Sequence, residues 1–174
     1  MKELADYVRS IKDFPKEGIV FRDITTVLQN KDGYKLAIDK MIETAKKYDF
    51  DYVAGAEARG FILGAPIAYE LGKGFIPIRK KGKLPGETVY EEYELEYGKA
   101  AVEIHKDAIK KGEKVLLVDD LIATGGTIAA SAKLIESLGA EISAMLFLIE
   151  LVDLKGRERL SKYNVESILC YRGE

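Results

Sequence analysis

Apolar positions along the chain follow two rhythms. Short, nearly uninterrupted apolar runs occur at residues 52–56, 75–78, 115–118 and 142–149. Runs of this length predict strands buried on both faces. A last strand is expected at 165–169. Between the runs, apolar residues recur at helical spacing. Tyr34, Ile38, Met41, Ile42 and Ala45 share one helix face, with Asp32 as the expected N-cap. Helices are expected at 60–71 and at 127–138, where Gly139 supplies the C′ residue, and a short one at 156–163. Leu4, Val8 and Ile11 predict a short first helix. Residues 14–25, F-P-K-E-G-I-V-F-R-D-I-T, read as an ordered loop punctuated by Pro15 and Gly18.

Apolar strands alternating with helices predict an α/β fold, a central and mainly parallel sheet with helices on both faces. Ligands of such sheets bind beyond the carboxyl ends of the strands. The pattern changes at residues 82–98. L-P-G-E-T-V-Y-E-E-Y-E-L-E-Y is polar, aromatic and acidic, with Val89, Tyr93, Leu95 and Tyr97 partly alternating. It reads as a long loop with a protruding hairpin, and long loops in compact domains commonly act as lids. Residues 1–174 are expected to form one domain, since 174 residues suit a single core.

Composition narrows the function classes. Apolar residues are 47% of the chain, enough to build a core rather than a disordered tail. A net charge of −2 argues against a general nucleic-acid binder. Cys170 is the one cysteine, so no internal disulfide can form, in keeping with a reducing cytoplasm. The amino terminus lacks an uninterrupted apolar stretch of the signal-peptide kind, and no apolar run is long enough to span a membrane.

The chemistry concentrates at 115–127, V-L-L-V-D-D-L-I-A-T-G-G-T. Asp119 and Asp120 are expected to emerge at the carboxyl end of a buried strand, and a helix opens near Thr127. Gly125 and Gly126 let the backbone approach a ligand closely. Amides at a helix start attract phosphate, and the hydroxyls of Thr124 and Thr127 can add donors. The two carboxylates can accept hydrogen bonds from a diol. Together these make a cradle for a ribose 5-phosphate. Two alternatives stand beside it. A Gly-Gly pair can be only a turn, and an Asp pair at a strand end can be the magnesium site of a receiver-type signalling domain, although such a domain has no need of T-G-G-T. Neither a Walker loop nor a dinucleotide glycine fingerprint occurs.

Other charged residues admit two readings each. Arg79, Lys80, Lys81 and Lys83 crowd a turn after a strand, as a solvated basic face or as an anion site. Arg59 stands at a helix start, against the dipole, so another task is expected of it. Glu91, Glu92, Glu94 and Glu96 can be a solvated acidic face. Phe21 can be a core anchor. His105 and Cys170 are given no functional role, Cys170 being expected in the core on the last strand, and no His/Cys cluster has metal-ligand spacing.

Residues 115–127 resemble the phosphoribosyl diphosphate (PRPP) loop of the type I phosphoribosyltransferases. The Gly-Gly form most resembles the branch of that family that acts on adenine. Five further segments resemble the family in its order: 18–25 (G-I-V-F-R-D-I-T), 58–61 (A-R-G-F), 78–86 (I-R-K-K-G-K-L-P-G), 95–100 (L-E-Y-G-K-A) and 154–160 (L-K-G-R-E-R-L).

The resemblance implies the type I phosphoribosyltransferase fold, with a small N-terminal hood at 1–33 and a flexible hairpin lid at 82–98. It implies transfer of the 5-phosphoribosyl group from PRPP to adenine, giving AMP and pyrophosphate, by a cytoplasmic homodimer that binds neither nucleic acid nor membrane. Asp119, Asp120, Ala123, Thr124, Gly125, Gly126 and Thr127 would hold the ribose 5-phosphate. Arg59, Arg79, Lys80 and Lys83 would hold the pyrophosphate, some of them from a neighbouring subunit, while Lys81 is expected to tolerate change. Val20, Phe21 and Arg22 would form the adenine site, Phe21 by stacking and Val20 through its backbone. Glu96, with Arg59, would be catalytic. Magnesium would be carried in by PRPP rather than by protein ligands. A cis peptide without proline is expected at Ala58–Arg59. Two rivals remain: an enzyme for hypoxanthine, guanine or xanthine, and a PRPP-sensing regulator that has lost catalysis. The second would need a DNA-binding domain, for which the short N-terminal segment leaves no room.

Overall fold

A computed structural model describes residues 2–95 and 97–173. A 3-10 turn at Leu4–Tyr7 leads into β1 (Arg9–Lys12), which pairs antiparallel with β2 (Val20–Asp23) as a separate two-stranded ribbon. The expected first helix is therefore only one turn. Ile11 lies in β1, directly opposite Phe21, because its apolar side is used across a strand pair. The loop expected at 14–25 likewise contains β2 and the start of a one-turn helix, α1 (Thr25–Leu28).

Helix α2 (Lys31–Ala45) is capped by Asn30 rather than Asp32. Asn30 has the extended backbone of a cap, and its side chain accepts from the amides of Asp32 and Gly33, both at 3.0 Å. Asp32 falls in the first turn, where its charge suits the helix dipole.

The remaining chain builds a seven-stranded sheet. In chain order it comprises β3 (Tyr52–Ala56), α3 (Arg59–Glu70), β4 (Gly74–Lys80), β5 (Thr88–Glu94), β6 (Lys99–His105), β7 (Lys114–Ile122), α4 (Gly126–Ser137), β8 (Glu141–Leu151), α5 (Gly156–Arg159) and β9 (Val165–Tyr171). The spatial order is β5-β6-β4-β3-β7-β8-β9. β4, β3, β7, β8 and β9 are parallel to one another. β6 joins β4 antiparallel, and β5 pairs with β6 along its full length. Residues 88–94 are thus the outer, edge strand of a hairpin of the kind expected within 82–98, and the stretch between β4 and β5 is irregular.

Alternation within the apolar strands divides the core. Val53, Leu116, Val118 and Leu146 face α2 and α3, while Ala54, Val115, Leu117 and Met145 face α4. The sheet is covered on both sides, as parallel sheets require. Helix α3 carries Pro66 in its interior. Proline has no amide to offer the carbonyl of Ile62, and the Tyr34 hydroxyl donates to that oxygen instead, at 2.7 Å.

Cys170, expected in the core, is exposed. It lies on β9, the edge of the sheet, where one side of the strand has no neighbour. Burial of its surroundings still pushes the thiol pKa up, with the Glu150 carboxylate adding to the shift.

Candidate active site

Strand β7 decides the geometry. It was expected to end at Val118, but it continues to Ile122 because β8 is long enough to pair with it, Asp119 opposite Phe147 and Ile122 opposite Glu150. Its other neighbour, β3, pairs only as far as Gly55 opposite Val118. Asp119 and Asp120 therefore stand in a strand with one open side, and the start of α3 fills that side. Gly60 comes so close that a Cβ there would lie 3.1 Å from Asp119 Oδ1.

Arg59, the first residue of α3, donates from Nε to Asp120 Oδ2 at 2.5 Å. Asp120 is buried and its amide donates to Asp119 Oδ1 at 2.8 Å. Burial holds the Asp119 carboxyl pKa well above the usual range, and the neighbouring Asp120 charge adds to it. Arg59 opposes that shift. Partial burial works against the charge on Arg59, but Asp120, Asp119 and Asp23 together raise its pKa further.

The loop after β7 ends at Gly125, which has φ +79° and serves as the N-cap of α4 without any side-chain cap. The first amides of α4 thus lack the side-chain acceptor that helix starts usually recruit, and such amides are ready to bind an anion. Thr124 is exposed and Thr127 is half-buried. Helix α5 backs the loop: a Cβ on Gly156 would lie 2.5 Å from the Ala123 carbonyl oxygen. Arg157 fixes α5 by donating to both oxygens of the buried Glu150 at 2.8 Å.

Two residues before Arg59, Glu57 reaches the basic turn. Its Oε2 accepts from the Lys80 amide at 2.8 Å and from Arg79 Nε at 3.3 Å. Residues 57–59 therefore bridge the Arg79–Lys83 region and the aspartate pair. The cis peptide in this step is Glu57–Ala58, one residue earlier than expected. Ala58 already has helical φ and ψ as the N-cap of α3, so the Ala58–Arg59 bond belongs to the helix entry, where the peptide is trans. Lys80 and Lys83 are exposed and Arg79 half-buried. Lys81 Nζ sits over the Tyr90 ring, 3.5 Å from its centroid.

Val20, Phe21 and Arg22 lie on β2, all half-buried. Phe21 meets Phe14 edge-on, with centroids 5.3 Å apart. Arg22 donates to Ser10 Oγ at 2.6 Å and stacks over Tyr171. The strand ends at Asp23, which is hydrogen-bonded by Thr25 and Arg9 and whose charge is felt at Arg59. Through Asp23 the ribbon joins the electrostatics of the aspartate pair. Glu96 lies outside the described residues. Nearby, the Leu95 amide donates to the Gly98 carbonyl oxygen at 2.9 Å.

Glu57, Glu103 and Glu150 escaped sequence reasoning. A lone carboxylate among apolar strand residues, as in A-A-V-E-I at 100–104, is the signal that could have found Glu103.

An uncapped helix start beside the Asp119–Asp120 pair, linked through residues 57–59 to a basic turn, narrows the families the chain can belong to. The profile of the phosphoribosyl transferase domain matches residues 23–173. This chain belongs to the phosphoribosyltransferase family. An adenine phosphoribosyltransferase of Lachnoclostridium phytofermentans is 60% identical over all 174 residues, covering 100% of both chains. Among solved structures, adenine phosphoribosyltransferase of Thermoanaerobacter pseudethanolicus superposes with a TM-score of 0.93 at 50% identity, covering 97% of this chain and 98% of that one. The enzyme of Saccharomyces cerevisiae, complexed with an imino-altritol bisphosphate and adenine, gives 0.89 at 41% identity over 95% and 96%. The fold is that of the type I members of the family.

Proposed function

We infer that this phosphoribosyltransferase transfers the 5-phosphoribosyl group of PRPP to adenine, forming AMP and releasing pyrophosphate, a purine-salvage reaction. The observation that carries this reading is the end-to-end identity of 60% with an adenine phosphoribosyltransferase.

In this reading the uncapped amides of α4, with Ala123, Thr124, Gly125, Gly126 and Thr127, hold the 5-phosphate. Asp119 and Asp120 accept from the ribose diol. Arg59, Arg79, Lys80 and Lys83 face the pyrophosphate, whose negative charge grows as its bond to C1 breaks. A ring nitrogen of adenine forms the new bond to C1, through a transition state with oxocarbenium character. Val20, Phe21 and Arg22 bind the base. Glu96 takes the proton that the purine loses, and the hairpin within residues 82–98 acts as a lid that keeps water from PRPP.

The donor set fits a magnesium ion that enters with its substrate. Among the described residues no group of three His, Cys, Asp or Glu side chains forms a protein cage, whereas the diol and pyrophosphate offer the oxygens magnesium prefers. When bound, the ion neutralises charge on the leaving pyrophosphate. A homodimer is part of the reading. Ile62 and Tyr69, seven residues apart on α3, leave apolar surface exposed that a second copy could cover. Among the described residues no helix is long and apolar enough to cross a membrane, and we assign the enzyme to the cytoplasm.

The test is an assay of the purified protein with PRPP, magnesium and each base in turn. AMP and pyrophosphate should form from adenine. Brisk turnover of hypoxanthine, guanine or xanthine beside negligible turnover of adenine would overturn the choice of base, and PRPP binding with no transfer at all would favour the regulator. Glu96→Gln should retain PRPP affinity and lose most turnover.

A further inference from the structure

The end of β4 and the turn that follows it carry Arg79, Lys80, Lys81 and Lys83 within five residues. Their mutual repulsion favours a splayed, mobile turn. The structure instead fastens it to one strand at three points. The Lys81 amide donates to the Ala101 carbonyl at 3.0 Å. Glu103 Oε1 accepts from the amides of Lys83 at 2.9 Å and Leu84 at 2.7 Å, and Oε2 lies 3.4 Å from the Thr88 hydroxyl. His105 Nε2 lies 2.8 Å from the Pro85 carbonyl oxygen. Residues 101, 103 and 105 alternate along β6, so one strand serves as the rail for the turn.

Glu103 is the centre of this arrangement. It is only 3% exposed, and among the described residues it makes no ion pair; its cross-strand partner Arg79 pairs with Glu57 instead. A buried carboxylate is costly unless its oxygens are filled. Here backbone amides fill them, and no cation is consumed. Arg79 sits directly opposite Glu103 in the β4–β6 register. The amides of Leu84, Gly82 and Lys83 outweigh burial and hold the carboxyl below its ordinary range, so it stays ionised at neutral pH.

We propose that Glu103 is a positioning residue for transfer: it fixes the backbone at Lys83 and Leu84 so that the Arg79–Lys83 cations are preset for the pyrophosphate of PRPP. The role rests on the reading of that turn as the pyrophosphate site. It is specific to one end of the substrate. AMP carries the base and the 5-phosphate but no pyrophosphate, so its binding does not depend on the turn.

The test uses Glu103→Gln in the full chain with magnesium present, beside Arg79→Ala and Lys83→Ala. Glu103→Gln should raise the KM for PRPP and the inhibition constant of pyrophosphate about ten- to a hundred-fold, the scale on which misplaced substrate contacts act. AMP affinity and the KM for adenine should stay within about twofold, a split that general damage to the fold cannot produce. Equal weakening of PRPP and AMP, or no change in either, overturns the proposal. If the two cation variants weaken PRPP binding and Glu103→Gln does not, the positioning role alone fails. If the cation variants leave PRPP binding intact, the pyrophosphate reading fails and takes the positioning role with it. Should Glu103→Gln not fold, Glu103→Asp keeps the charge but withdraws it by one methylene, and the same split between PRPP and AMP decides.

Discussion

Arg59 Nε and Asp120 Oδ2, 61 residues apart in sequence, meet at 2.5 Å across the open side of β7. The pair joins the residue proposed for pyrophosphate to the one proposed for the ribose diol, groups that are carried by the same sugar in PRPP. Asp120 is the buried partner, with 10% of its side chain exposed against 55% for Arg59. Arg59 can therefore swing toward a ligand, while Asp120 cannot leave. Replacing Arg59 by Gln should lower kcat/KM for PRPP about a hundred-fold, the usual effect of deleting one charge-stabilising donor. Steady-state kinetics with PRPP varied at saturating adenine measures this. A variant with unchanged kcat/KM would remove Arg59 from the site.

Acid sensitivity should trace to Asp23. The Thr25 hydrogen bonds lower its pKa to about 2 against the opposing effect of burial, and Arg9 assists. Unfolded, the group titrates near 3.8. Between these values the unfolded chain binds the proton more readily. Asp23 thus adds stability that is complete above about pH 4 and drains away as the pH falls through about 2. Thermal midpoints of the wild type and Asp23→Asn should differ most at pH 7 and converge on acidification. A gap that stays constant down to about pH 2 would contradict the assignment.

These two residues mark what a sequence can and cannot disclose. The strands of the parallel sheet were legible because burial on both faces demands apolar runs, and 115–118 supplies one. The loop proposed for the 5-phosphate stood out because its glycines, threonines and aspartates are contiguous. Glu57 and Glu103 were not, because their partners lie 23 and 20 residues away and only the sheet register brings them together. The spacing of Leu4, Val8 and Ile11 misled because a single 3-10 turn followed by a strand satisfies it as well as a helix does. The helix cap was assigned to Asp32 on residue type, whereas backbone conformation selected Asn30, two positions earlier.

Gly125 and Gly126 of the loop after β7 and Gly156 of α5 behind it are not interchangeable, and the structure grades them. Gly125 has φ +79°, where an L-residue is strained. Gly156 has no room, since a Cβ would come within 2.5 Å of the Ala123 carbonyl oxygen and 2.7 Å of Ile122 Cγ1. At Gly126 the nearest atom to a Cβ is the end of the flexible Arg159 side chain, at 3.1 Å. Gly156→Ala should cost about 1–3 kcal/mol by overpacking. Gly125→Ala should cost about 1–2 kcal/mol by backbone strain. Gly126→Ala should change stability by less than about 0.5 kcal/mol. Urea unfolding of the three variants gives the order, and AMP binding should fall with it if α5 supports the phosphate loop. Gly126→Ala as the least stable of the three would refute the grading.

Phe21 offers the sharpest separation of the base from the sugar. Its ring is half-buried and packed edge-on to Phe14, itself 51% exposed, on the β1–β2 ribbon apart from the main sheet. A core anchor would be enclosed by the main core, yet neither ring belongs to it. Removing the ring should therefore cost little stability. Stacking of a base on an aromatic side chain is worth about 1–3 kcal/mol. Phe21→Ala should then raise the KM for adenine roughly ten- to a hundred-fold, since each 1.4 kcal/mol is a factor of ten. The dissociation constant for PRPP, which the ribbon does not touch in this reading, should hold. Phe21→Tyr, which keeps a stacking face, should restore most of the adenine affinity. If Phe21→Ala weakens PRPP and adenine alike, the residue supports the ribbon rather than the base, and the adenine site must be sought elsewhere.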